Sequence, residues 1–200
     1  MKWLLFGAIF LLLTWIVEIE LLANFDQKIV LQFEQIRSES VTDAFLFISD
    51  VGSIKGLLFI TALLTVYLIY KKRFTDVLFL MFVFWGSRGS NYLLKNWIER
   101  DRPEINPIIH SAGFSFPSGH TMNSTAVLGF ICFLLLIHFK SKAFRKAIIG
   151  VTVLLVALIG VSRIYLGVHY VTDIIGGFVA GIIWMLIFVS LYKHWDIGKS

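Results

Sequence analysis

Charge is scarce in this 200-residue chain. Asp, Glu, Lys and Arg make up 16% of it, against 58% hydrophobic residues and a mean hydropathy of +0.81. A water-soluble domain of this length would be far more polar, so the chain reads as an integral membrane protein. Cysteine is nearly absent: Cys132 stands alone in an apolar run, and no intramolecular disulfide can form. Acids are outnumbered by bases, 13 to 18, for a net charge of +5. In a membrane protein that excess mostly reports loop charge and orientation, not affinity for nucleic acid. No small-residue cleavage site follows the first apolar run, MKWLLFGAIFLLLTWIVEIELL, which is too long for the core of a signal peptide. It is expected to be an uncleaved first span. Internal repeats and low-complexity segments are missing too.

What is present is apolar and aromatic, with 19 Phe and 6 Trp. A membrane-spanning helix needs about 20 largely apolar residues. Windows of that kind fall at Trp3–Leu22, Gly52–Tyr70, Phe74–Leu94, Thr121–Phe139, Ala147–Leu166 and Val171–Tyr192. The expected fold is an all-α bundle of six transmembrane helices. These use nearly the whole chain, so residues 1–200 are expected to form one domain. Lys71, Lys72 and Arg73 form one basic cluster, and Lys140, Lys142, Arg145 and Lys146 another, while Lys2, Lys193 and Lys199 mark the termini. With alternating spans these all share one side, and the positive-inside rule makes that side cytoplasmic. Both termini are then cytoplasmic. Three stretches lie at the outer face of a cell membrane: 23–51, 95–120 and 162–173. The first carries Phe25, Ile29, Phe33 and Ile36 at spacings of three or four, predicting a short amphipathic helix in the interface.

The other two outer stretches hold unusual polar chemistry, and ionisable residues near a span are costly enough to suggest function. In KNWIERDRP, Lys95 and Arg102 are seven residues apart, which predicts one helical face ended by Pro103. Two cations on one face suit a multiply charged anion, with Arg offering a fork and Lys a point charge. Snorkelling is the plain structural alternative. In FPSGHT, Pro117, Ser118 and Gly119 predict a turn into a helix whose first N–H groups attract an anion, with His120 poised to exchange a proton. An ordinary N-cap would read the same. In SRIYLGVHYVTD, His169 and Asp173 are four apart, so the carboxylate can reach the imidazole and set its tautomer, and Arg163 adds a third cation. Phosphoryl transfer needs such a set: cations on the equatorial oxygens, a nucleophile in line, and an acid on the leaving oxygen.

These stretches resemble the three signatures of the type 2 phosphatidic acid phosphatase superfamily: K-x6-R-P, P-S-G-H and S-R-x5-H-x3-D, at matching internal spacings and in the same order. The size and six-span layout are similar to its short bacterial members. The resemblance implies that His169 attacks phosphorus and becomes a phosphohistidine, that Asp173 orients it, and that His120 protonates the leaving alkoxide and then activates water. It further implies that Lys95, Arg102 and Arg163 hold phosphate oxygens, helped by Ser118 and the Gly119 amide. It implies catalysis without metal or other cofactor, on a lipid phosphate at the outer leaflet. Phosphatidylglycerol phosphate is favoured, with undecaprenyl pyrophosphate and phosphatidic acid as alternatives. No nucleic acid and no obligate protein partner are expected. Arg88 lies outside the signatures, seven residues before Lys95; a structural role is favoured over contact with substrate. Two rival readings stand beside this one: a metal site built from His120, His169 and Asp173, and a transporter using the ionisable residues as a relay.

Overall fold

The computed structural model describes residues 2–197, with side chains for residues 4–195, and every regular element in it is an α-helix. In order they are α1 (Lys2–Glu18), α2 (Ala23–Gln35), α3 (Glu39–Val51), α4 (Ile54–Tyr70), α5 (Phe74–Ile98), α6 (Gly119–His138), α7 (Lys142–Tyr165) and α8 (Val171–Ile197). Helices suit so apolar a chain because each satisfies its own backbone groups where water cannot. Each of the six apolar windows is filled mainly by one helix, although Trp3–Leu22 runs past the end of α1 at Glu18. Three helices, α6, α7 and α8, are individually long and apolar enough to cross a membrane, or up to five segments if each bent pair counts as one. The bent pairs are α1–α2, at 87°, and α3–α4, at 52°. Glu20 turns the first corner with a left-handed φ of 54°. The 25-residue α5 is long enough, but carries Asp76, Arg88 and Lys95. Of the sidedness markers, Lys199 and the side chain of Lys2 lie outside the described residues.

α6 is the central post. It packs on α5, α7 and α8, and 56% of its apolar window is buried, against 33% for α7 and α8. The main core joins Leu80, Val83 and Phe84 of α5, Ala126 and Phe130 of α6, and Ile159 of α7. Outward-facing Phe59, Val66, Val151 and Leu154 are exposed, as lipid-facing residues are. The close pairing of α6 with α8 depends on glycine. A Cβ on Gly181 would sit 2.6 Å from the Met122 carbonyl oxygen and from Thr125 Cβ.

The stretch 23–51 departs from expectation. It holds two helices rather than one, broken where Ser38 is extended. Phe25 and Ile36 are exposed, and the inner face of α2 carries Asp26, Ile29, Val30 and Phe33 instead. Tyr165 anchors this region to α7. Its ring packs on Phe45 at 4.5 Å, and its hydroxyl lies 3.0 Å from Thr42 Oγ1.

Candidate active site

Three turns bring the signature stretches together at one end of the bundle. Gly167, with φ of 75°, ends α7 in a left-handed cap where its N–H donates to Ile164 O and the Val168 N–H to Arg163 O. This is the Schellman arrangement, and it reverses the chain so that Arg163 and His169 face one region. Ser118 precedes α6, and its N–H donates to the Asp173 carbonyl at 3.0 Å, tying the start of α6 to the start of α8. The long loop between α5 and α6 is pinned by Ser115 N–H on Arg100 O and Ile108 N–H on Leu166 O.

His169 is 2% exposed and Asp173 fully buried. The imidazole Nδ1 lies 3.2 Å from Asp173 Oδ2 and 3.1 Å from Ser115 Oγ. Ser115 Oγ donates to the same Asp173 oxygen, and the Tyr170 N–H donates to it at 2.9 Å. Burial pushes the His169 imidazole down to about 3, so the ring is neutral at neutral pH. A neutral ring with Nδ1–H on the carboxylate turns the Nε2 lone pair outward as an acceptor. That atom faces Arg102, whose Nη1 is 3.2 Å away.

The cations arrive by routes that differ from the expected helix face. α5 stops at Ile98, where Glu99 caps it in a left-handed conformation with φ of 51°. Lys95 is therefore helical and Arg102 is not; Pro103 comes too late to end the helix. Lys95 donates to the carbonyls of Phe114 and Ser115. Arg102 is held by the carbonyls of Gly113 and Val168, each at 2.8 Å. Arg163, 2% exposed, donates to Ser49 and Ser111, and its Nε is buried without a partner among the described residues. His120 makes no hydrogen bond within the described residues. It lines a cavity of about 550 Å³ together with Lys95, Gly119, Asn91 and Arg88. Ser118 is buried and accepts from Thr121 Oγ1 at 3.1 Å. All eight expected residues thus belong to one cluster.

Sequence reasoning missed a second layer. Arg100 Nη1 donates to Asp173 Oδ1 and to Thr172 Oγ1, both at 2.6 Å, while Nη2 donates to Asp26 Oδ2 at 2.8 Å. Asp26 also accepts from the Thr172 N–H at 3.1 Å, at the first turn of α8. The Arg100 guanidinium lies 4.4 Å from the Tyr170 ring centroid. Burial opposes its charge, but Asp173 and Asp26 outweigh that and hold its pKa above the ordinary arginine value. Asp26 had left a trace in the sequence, as the one carboxylate spaced three, four and seven residues from Ile29, Val30 and Phe33.

A membrane-embedded helical bundle with an imidazole–carboxylate pair facing clustered cations is the architecture of a phosphoryl-transfer site in lipid. The chain belongs to the PAP2 superfamily, whose family model matches residues 76–196. It is 34% identical over 176 residues to phosphatidylglycerophosphatase B of Bacillus subtilis (strain 168), covering 87% of this chain and 86% of that protein. Its fold matches the crystal structure of a transmembrane PAP2-type phosphatidylglycerolphosphate phosphatase from Bacillus subtilis, with a TM-score of 0.90, 30% identity, and coverage of 100% of this chain and 98% of the other. LpxE of Aquifex aeolicus is more distant, with a TM-score of 0.64, 26% identity, and coverage of 83% and 95%.

Proposed function

We propose that this membrane protein, a lipid phosphatase, removes the terminal phosphate of phosphatidylglycerol phosphate and leaves phosphatidylglycerol. One observation carries the mechanism: the His169 ring is fixed through Nδ1 on Asp173, and its Nε2 faces Arg102. The likeness to the Bacillus subtilis phosphatidylglycerophosphatase, over 86% of that protein, supports the choice of substrate.

In the first step the Nε2 lone pair attacks phosphorus and the P–O bond to glycerol breaks. The departing oxygen takes a proton from His120, which the bound phosphate dianion holds protonated. The neutral His120 next takes a proton from water, and the resulting hydroxide attacks phosphorus. The P–N electron pair returns to His169 and inorganic phosphate leaves. Lys95, Arg102 and Arg163 neutralise the equatorial oxygens, where fixed charge matters most in a dry site. The Ser118 hydroxyl and the Gly119 amide add hydrogen bonds. Three cations already supply the positive charge, so the reaction runs without metal. The working unit is residues 1–200 as one domain of six spans, with the site at the outer face and both termini in the cytoplasm. The positive-inside distribution of lysine and arginine supports that orientation.

The test is phosphate release by purified protein in detergent, with chelator present, from phosphatidylglycerol phosphate, undecaprenyl pyrophosphate and phosphatidic acid. Phosphatidylglycerol phosphate should be the best substrate, and His169→Ala should lower its turnover by more than roughly a thousandfold. Release that stops with chelator, or persists in the variant, would sink the mechanism; a different best substrate would sink the assignment.

A further inference from the structure

Arg88 is exposed in the middle of α5 and makes no hydrogen bond, ion pair or ring contact within the described residues. It lines the same cavity as Lys95 and His120. An arginine at this depth is costly to keep without an anionic partner. Seven residues separate it from Lys95, two turns of one helix, or about 10 Å along the axis. Asn123 of α6 lines the cavity too, and its Oδ1 is buried without a hydrogen-bond partner among the described residues. The cavity therefore presents a cation at the reacting end, a second cation two turns deeper, and an unmatched carbonyl acceptor.

We infer that Arg88 and Asn123 form a second subsite that binds the non-transferred part of a two-phosphate headgroup, and so select phosphatidylglycerol phosphate over lipids with one phosphate. This rests on the lipid phosphatase reading above. Phosphatidylglycerol phosphate carries a terminal phosphomonoester, then a glycerol with one free hydroxyl, then a phosphodiester leading to the acyl chains. The cavity matches that order: Lys95 for the phosphomonoester, Asn123 Oδ1 accepting from the hydroxyl, and Arg88 on the phosphodiester. Phosphatidic acid has no second phosphate to offer. In a prenyl pyrophosphate the two phosphates share one bridging oxygen, so they cannot span two helical turns. Exposed Trp85 and Tyr92, also lining the cavity, flank Arg88 where the acyl chains would leave toward lipid.

The experiment measures kcat/KM for wild type, Arg88→Ala, Arg88→Lys and Asn123→Leu on phosphatidylglycerol phosphate, phosphatidic acid and undecaprenyl pyrophosphate in mixed micelles. Losing one charge-assisted contact should lower kcat/KM of Arg88→Ala on phosphatidylglycerol phosphate by about 10- to 100-fold, mainly through KM. On the other two lipids the change should stay under about threefold, since neither reaches the subsite. Arg88→Lys should recover part of the loss. Arg88→Gln, which removes the charge but keeps a polar side chain, gives the same readout if the alanine variant does not fold. Equal losses on all three lipids, or none on any, would overturn the subsite and leave the phosphatase reading standing. Wild-type protein that hydrolyses phosphatidic acid but not phosphatidylglycerol phosphate would overturn the subsite and the choice of substrate together.

Discussion

In the proposed mechanism the chemistry turns on His169, and the burial of that ring has a measurable consequence. Its pKa falls from 6.5 to about 3 on folding, so between those values the unfolded chain binds a proton that the folded protein does not. Stability from this group is therefore complete above about pH 6.5 and is lost as the pH falls toward about 3. Nitrogen NMR of the imidazole should show no His169 titration between about pH 5 and pH 8, with Nδ1 protonated throughout. A ring that titrates near 6.5, as an exposed histidine does, would remove the argument for a fixed neutral nucleophile. The same burial explains why Asp173 must be so heavily bonded. A fully buried carboxylate is tolerable only when its lone pairs are matched, and here Ser115, Tyr170 N–H, His169 and Arg100 match them.

Among the elements, the first turn of α8 carries the site and is clamped from behind. Arg100 ties that turn to α2 through Asp26, and neither residue lines the cavity that His120 lines. Removing the guanidinium strands two buried carboxylates, a loss of roughly 3 kcal/mol. Arg100→Ala should lower the melting temperature in detergent and reduce kcat about 10- to 100-fold while KM changes little, because Asp173 would no longer hold His169 in line. Arg100→Lys should recover part of kcat; a rise in KM alone would place Arg100 with the substrate instead. Helix packing offers a separate test. A Cβ at Gly181 meets a backbone carbonyl, which cannot swing away as a side chain can. Gly181→Val should cost about 1–3 kcal/mol through overpacking, read as a lower unfolding midpoint. An unchanged midpoint would mean that α6 and α8 can separate freely.

For the whole molecule the open question is orientation. Glu104, in the loop after α5, and Lys142, at the start of α7, are both exposed and lie on opposite sides in the six-span arrangement. With Cys132 replaced by serine, single cysteines at these positions can be probed with an impermeant maleimide on intact cells. Position 104 should label directly, and position 142 only after the membrane is opened. The reverse result would invert the topology and put the site in the cytoplasm.

The sequence by itself determined the main helices and the local pairing of His169 with Asp173. Long apolar windows can only be helices in lipid, and the spacing of His169 and Asp173 at one helix start brings them together whatever surrounds them. Local chemistry of that kind is written within a few residues. Tertiary structure alone decided what lies behind and beside it. Lys95 and Arg102 converge because a capped helix end and a looping chain bring them there, not because they share a helix face. Asp26 and Arg100 meet across 74 residues, and no period in either segment names the other as partner. The fifth helix buries no partner for Arg88, and only the cavity shared with His120 and Asn123 gives that charge a setting. The physical reason is the same in each case. Burial makes a charge require a partner, but which partner stands within reach is set by how distant helices pack.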